Sequence, residues 1–336
     1  MLHCYHLTWQ GNPTVLQTEQ EENSVRPRAR KARGSDFFLI VLIVAAIIIP
    51  AIAILTVYEI GLGAIPSIQT FGVNFLFTTD WDPFPANGGA PILGALPAMY
   101  GTVVTTVLAL LFAVPVSLGV ALFQAELAPR KLRFPSLFLI EMLAAVPSVV
   151  YGLWGIFVLV PAMRDYVDTK LGSTLGFLPI FKGNTDGLGM LTAGVILAIM
   201  IMPYASSTMR EVIAAVPNSQ REACIALGAT RWETIKTAVL PFARAGLIAA
   251  VVLAMGRAIG ETMAVAMVIG NVARISPSLF LPAETIPSVI ANEFTETAGN
   301  AVYLSALFEL GLILFAISFL MNLVGRVVIS KLSFKE

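Results

Sequence analysis

The sequence predicts an all-α integral membrane protein with about six transmembrane helices, and three observations predict it. Hydrophobic residues make up 57% and charged residues only 12% of the 336 positions, against roughly 25% charged in an average soluble domain. Apolar runs of about 20 residues, enough to cross a hydrocarbon core, recur along the chain. Of the 21 basic residues, only Arg164, Lys170, Lys182 and Arg274 fall in segments on one side of those runs, with Arg257 inside a run. The remainder share the other side, which the positive-inside rule assigns to the cytoplasm together with both termini. Net charge is zero, so total charge points to neither nucleic acid nor an acidic partner.

Residues 1 to 35 are polar and end in a basic cluster, Arg26, Arg28, Arg30, Lys31 and Arg33, the composition of a disordered tail at an anionic membrane surface. His3, Cys4 and His6 lie close together there, but three ligating side chains in a short tail do not make a metal site. Cys4 and Cys224 both fall on the cytoplasmic side, where no structural disulfide is expected. The uncharged run from Phe37 to Val57 is too long for a signal-peptide core and reads as a retained first span. Residues 59 to 96, with Asp80-Trp81-Asp82-Pro83 and Asn87-Gly88-Gly89, read as an outer loop without Lys or Arg.

A second span is predicted over 97–123 and a third over 136–163, separated by a turn with Arg130, Lys131 and Arg133. A fourth covers 188–212, a fifth 244–272 and a sixth 302–329, with 331–336 a cytoplasmic C-terminus. Pro50, Pro115, Pro147 and Pro203 fall inside spans, where each is either a packing kink or a bend lining a pathway. No internal repeat is evident.

The cytoplasmic segment 213–243 predicts two short helices. Ala223, Ala226 and Leu227 share a face at helical spacing, Gly228 suits a left-handed helix stop, and Trp232, Ile235 and Val239 recur with helical period until Pro241 stops the helix. The resulting apolar ridge suits docking into a partner's groove, and it equally suits an amphipathic helix lying on lipid. The segment resembles the EAA loop of ABC-importer permeases through Glu222, Ala223, Gly228, Leu240 and Pro241, with Cys224 replacing the second alanine and Ala238 an isoleucine. What that resemblance implies is the binding-protein-dependent ABC-importer permease fold and a coupling helix seated in a separate ATPase subunit. The chain has no Gly-x-x-x-x-Gly-Lys-Ser/Thr loop of its own, so ATP and Mg belong to that partner, and no cofactor is expected on this chain.

The fifth predicted span contains Gly256-Arg257-Ala258-Ile259-Gly260-Glu261-Thr262-Met263-Ala264. At 1.5 Å per residue, Arg257 lies about 21 Å beyond Ala243, near the midplane. A central charge costs roughly 2.5–3.5 kcal/mol on insertion scales, so Arg257 and Glu261 are expected to face protein or water rather than lipid. On a helix their i, i+4 spacing stacks them as an ion pair. The alternative is an oxyanion site, because a guanidinium offers a fixed fork of donors matching a tetrahedral anion. Gly256 and Gly260 have GxxxG spacing, which admits a close neighbouring helix.

Over residues 36 to 330 the chain is similar to the PstC-type permeases of phosphate importers, through Gly256 to Val265, Pro147-Ser148-Val149-Val150-Tyr151-Gly152 and Thr79-Asp80-Trp81-Asp82-Pro83. The resemblance implies inorganic phosphate as substrate, with Arg257 and Glu261 serving its passage. It also implies a bacterial inner membrane and four kinds of partner: lipid, a homologous PstA-type permease, two PstB-type ATPase subunits and a PstS-type phosphate-binding protein outside. Asp80, Asp82, Glu284, Glu293 and Glu296 are then candidates for docking that protein. Rival readings are a permease for molybdate, sulfate or a phosphonate, and a proton-coupled carrier using Glu141, Glu261 and Glu309. A hydrolase is disfavoured, since no His follows His6 and no nucleophile has a suitable base.

Overall fold

A computed structural model describes residues 33–86, 89–183, 186–297 and 299–333. Residues 1–32 of the basic tail, with the His3, Cys4 and His6 group, lie outside those residues, and its last three, 33–35, begin a helix. The chain forms two units, 1–56 and 57–336. In the first, residues 33–56 are helical, with large apolar side chains from Phe38 to Leu55 exposed.

Among the described residues six helices are long and apolar enough to cross a membrane, spanning 38–71, 96–127, 148–175, 190–214, 231–259 and 301–331. α1 covers Arg33–Phe71 and α2 Leu96–Leu122. α3 is Arg130–Ala144, and α4 denotes the composite helix Ser148–Leu175. α5 is Met190–Ala214, α6 Asn218–Ala226 and α7 the composite Arg231–Ile259. The short helices α8, Met263–Ala266, and α9, Ile286–Glu293, precede α10, Ala301–Ser333.

α5 is the central post. Its apolar window is 72% buried, against 28% or less for the other spans, and it packs most extensively on α2. Gly194 permits that approach, since a Cβ there would stand 2.7 Å from the Leu108 Cβ. Ser117, two residues past Pro115 in α2, donates to the Met202 carbonyl of α5 at 3.2 Å, beside Pro203. One core surrounds α5 through Ile196, Met200, Val265 and Phe280. A second joins Phe75, Ala98, Ile286 and Tyr303, and a third joins Met209, Ile213, Val216 and Val239.

Three span boundaries differ from the sequence expectation, each for a backbone reason. Glu59 does not end α1, which continues as helix to Phe71. The third span is not 136–163: α3 stops at Ala144 and a new helix starts at Ser148. Pro147, at φ −59° and ψ 140°, caps the second helix in an extended conformation, and proline disfavours helical geometry in the residue before it. The Tyr151 hydroxyl donates to the Leu143 carbonyl at 2.9 Å, tying the two helices across this elbow. The span then continues to Leu175, through Arg164 and Asp165, which pair at 2.8 Å.

Pro241 was expected to end a helix, yet α7 runs through it. A π turn, Ile235–Val239, precedes it, and the Leu240 N–H donates to the Ile235 carbonyl five residues back. Widening the helix before a proline lets the last available N–H bond early and moves carbonyls away from the ring, which otherwise clashes with the i−4 carbonyl. The same device recurs twice. Val160 donates to the Gly155 carbonyl immediately before Pro161, and Ala128 to the Phe123 carbonyl immediately before Pro129.

The fifth span ends inside the expected 244–272 range. α7 stops at Ile259, and after α8 the chain folds back as a loop against α2. Gly101 accommodates the loop: a Cβ at that position would lie 1.9 Å from the Glu284 carbonyl oxygen. Thr102 accepts the Ile286 N–H at 2.9 Å while donating to the Ala98 carbonyl at 2.7 Å, so a side chain of α2 caps α9. Gly101→Ala is therefore expected to destabilise the chain by about 1–3 kcal/mol, the usual cost of overpacking. Thermal melting in detergent checks this, with Gly61→Ala, which meets nothing within 4 Å, expected to melt at the native temperature or above.

Candidate functional site

Arg257 occupies the last turn of α7, and Glu261 lies beyond the helix end. The i, i+4 stack foreseen from spacing does not form, because the helix stops at Ile259 and Gly260 begins the turn into α8. No ion pair joins Arg257 to Glu261 among the described residues. The Glu261 Oε1 accepts the Ala264 N–H of α8 instead, at a long 3.4 Å. The guanidinium carbon of Arg257 stands 5.6 Å from the ring centroid of Tyr204 on α5. Such a cation–π contact contributes about 0.5–1 kcal/mol where exposed and about 2 when desolvated. Arg257 also acts electrostatically on the Tyr151 hydroxyl at the α3–α4 elbow.

The face of α7 carrying Arg257 is open. Arg257 and Gly260 are exposed. A Cβ on Gly256 would meet nothing within 4 Å, and one on Gly260 only the Gly256 carbonyl at 3.9 Å. The GxxxG pair therefore meets no neighbouring helix of this chain. A permanent cation on an unfilled face of a membrane-spanning helix calls for water, an anion or a second protein beside it.

At the other end of α7, Glu222, Ala223, Ala226 and Gly228 are exposed, as is Pro241, while Leu240 is half-buried. Gly228 has φ +85°, the left-handed conformation that glycine adopts without strain. The apolar ridge is not the one that periodicity suggested. Ile235 and Val239 are buried, Val239 within the third core, leaving Leu227, 90% exposed, Trp232, 61% exposed, and Ile225 as the projecting apolar side chains. Thr230 and Glu233 form a capping box that fixes the turn between α6 and α7.

Sequence reasoning missed the group that orients this segment. Arg221 of α6 donates through Nη2 and Nε to Glu126 Oε1 at 2.8 and 3.1 Å, and both side chains are more than four-fifths buried. It also donates to the carbonyls of Ile213, at 2.9 Å, and Val216. One guanidinium thus closes the C-terminal end of α5 and ties α6 to the π turn that follows α2. The two partners are separated by 95 residues, and no local pattern joins them.

Two of the five acidic residues proposed for docking are not available at the surface. Glu284 is 4% exposed. Glu293 accepts from the Trp81 indole N–H at 2.7 Å and the Tyr303 hydroxyl at 2.6 Å, stapling the end of α9 and the Trp81 loop to α10. Asp80, Asp82 and Glu296 are exposed. The three carboxylates of the carrier reading have separate roles: Glu141 is exposed, Glu261 receives the α8 N–H, and Glu309 accepts from the Ser67 hydroxyl at 2.6 Å. Among the described residues no group of three or more His, Cys, Asp or Glu is arranged to hold a metal.

This architecture is the fold of an ABC-importer permease. It superposes on a subunit of the inward-facing MetNI methionine ABC transporter with a TM-score of 0.52 at 18% identity, covering 69% of this chain and 93% of that one. Residues 113–334 match the family described as binding-protein-dependent transport system inner membrane component, and the chain belongs to that family. It is 45% identical over 312 residues to the phosphate transport system permease protein PstC of Xylella fastidiosa strain Temecula1, covering 91% of this chain and 94% of that protein. Its identity to the PstC of Haemophilus influenzae is 43% over 302 residues, covering 88% and 90%. A permease subunit of this kind is not catalytic alone.

Glu126→Gln removes the charge opposing a mostly buried Arg221, a change that costs on the order of 3–5 kcal/mol. The expected result is a lower melting temperature and faster proteolysis within 218–234, with Arg221→Gln in the same chain restoring part of the loss. Glu284 yields a pH prediction. Burial, with Glu293 adding repulsion, pushes its carboxyl up to about 8. The unfolded chain releases that proton near the ordinary glutamic value, so between the two values the folded state binds more protons and stability falls as pH rises. Melting temperatures of the native chain should therefore drop from pH 5 to pH 8, and Glu284→Gln should flatten the decline.

Proposed function

We propose that the chain is the membrane-spanning subunit of an ATP-driven importer of inorganic phosphate. The observation that carries this reading is the 45% identity to a PstC permease across 91% of the chain. A guanidinium in the last turn of α7, exposed and without an ion pair among the described residues, agrees with it in chemistry. In this reading a PstA-type permease faces α7 across the pathway, two PstB-type subunits bind ATP and Mg on the cytoplasmic side, and a PstS-type binding protein delivers phosphate from outside. Both termini are cytoplasmic, as the distribution of basic residues requires.

Arg257 presents its donor fork to the passing oxyanion, and its charge persists when partly desolvated. Glu261 lies four residues further on, beyond the helix end, and can accept a hydrogen bond from the proton that phosphate carries near neutral pH, which sulfate lacks. Glu222, Ala223 and Gly228 form the surface that docks to the ATPase, Leu227 and Trp232 supply its apolar contacts, and Leu240 and Pro241 lead from it into α7. Since α7 is helical from Arg231 to Ile259, displacement of the docked segment moves Arg257 through one continuous rod.

The test is phosphate-stimulated ATP hydrolysis and uptake by the reconstituted complex, comparing the native chain with Arg257→Lys. Lysine keeps the charge and loses the planar fork. With charge-assisted hydrogen bonds contributing about 1.5–3 kcal/mol each, uptake at limiting phosphate should fall about tenfold or more. Equal activity of the two would remove Arg257 from the pathway.

A further inference from the structure

We propose that Tyr204 is the resting partner of Arg257 and sets how readily the permease takes up its anion. This inference rests on Arg257 serving phosphate passage. An arginine on a membrane-spanning helix ordinarily pairs with a carboxylate, and Glu261 is the nearest in sequence. The fold denies that pairing, because α7 ends at Ile259 and the Glu261 carboxylate turns to the Ala264 N–H. Arg257 instead lies over the Tyr204 ring at 5.6 Å.

The difference matters chemically. A carboxylate occupies the N–H edge of a guanidinium and cancels its charge, so an arriving anion has to displace it. An aromatic face attracts the cation through its quadrupole and leaves the in-plane N–H groups unoccupied. The ring therefore holds Arg257 in place with its donors and its charge both available. Space for the anion is present on the same side, where Gly256 and Gly260 present no side chain and meet no neighbour. Among the described residues Tyr204 is the aromatic whose ring face meets this arginine, whereas Tyr151 makes no cation–π contact with it and its hydroxyl donates to the Leu143 carbonyl at the elbow. Tyr204 itself is fixed on the best-buried span, so Arg257 is positioned against the most rigid element of the fold.

Tyr204 is thus a positioning residue, acting through Arg257. Phosphate dose–response curves of uptake by the complete reconstituted complex separate this role from a structural one. Replacing the ring, in Tyr204→Leu and Tyr204→Met, should raise half-saturating phosphate roughly two- to fivefold with the maximal rate within about twofold of native. Tyr204→Phe, which keeps the ring and loses only the hydroxyl, should retain the native half-saturation. Tyr204→Glu should depress the maximal rate strongly by locking Arg257 into an ion pair. Unchanged half-saturation in both Leu and Met variants, or a Phe variant as impaired as they are, would overturn the proposal. A native complex that takes up no phosphate would instead overturn the functional reading beneath it.

Discussion

In a bilayer no water reaches the backbone, so every N–H and C=O must find its partner inside the protein. That constraint decides where this chain is able to bend. The prolines at 129, 161 and 241 each remove a donor, and before each the helix widens by one residue so that the last N–H bonds five residues back. At the turn following Ile259, where the fifth span breaks outright, the returning loop is pressed into α2 at Gly101 and α9 receives its cap from Thr102. At the end of α5, terminal carbonyls are closed by Arg221. Each apparent irregularity is a place where backbone hydrogen bonding is rearranged and still satisfied.

The break after Ile259 also creates the chemistry. Had the helix continued, Glu261 would lie one turn beyond Arg257 on the same face and the two would neutralise each other. Ending the helix separates them, leaving a cation with an aromatic neighbour and an open side. The electrostatic character of the face thus follows from the backbone conformation of Gly260 to Thr262 more than from which charged residues are present. On the proposed reading that open cation suits an anionic substrate, the class to which the phosphate named for the PstC relatives belongs.

Much of this was legible in the sequence, and the parts that were not share a cause. Composition and hydropathy predicted six helical spans because apolar length is a local property. Gly228 announced its left-handed turn because only glycine takes that conformation freely. Pro241 misled, since a proline's effect depends on whether the preceding turn widens, and no residue type signals a π turn. The third span was misplaced because its apolar run continues across Pro147, while its far end holds Arg164 and Asp165, adjacent charges that pair at 2.8 Å but read in the sequence as the start of a polar stretch. The Arg221–Glu126 pair and the Arg257–Tyr204 contact were invisible because each joins distant segments through tertiary packing. Arg257 itself was readable, because a charge deep in an apolar run is conspicuous, whereas its partner was not.

The continuity of α7 changes what coupling has to accomplish on the proposed reading. A stop at Pro241 would place a hinge between the docking segment and the membrane helix, and motion of the ATPase would reach the pathway only through side-chain packing. The helix instead runs from Arg231, beside the capping box of Thr230 and Glu233, to Ile259, two residues past Arg257. At 1.5 Å per residue that rod is about 42 Å long, with Trp232 at one end and the guanidinium at the other. Its near end is tied, through α6 and Arg221, to the ends of α2 and α5, the two best-packed helices of the fold. A push at Leu227 or Trp232 is therefore divided between a rigid post that resists and a rod that tilts. Near the rod's far end, tilting alters where Arg257 stands relative to Tyr204, a side chain on the post. The distance between those two groups is thereby the coordinate through which a cytoplasmic event reaches the anion.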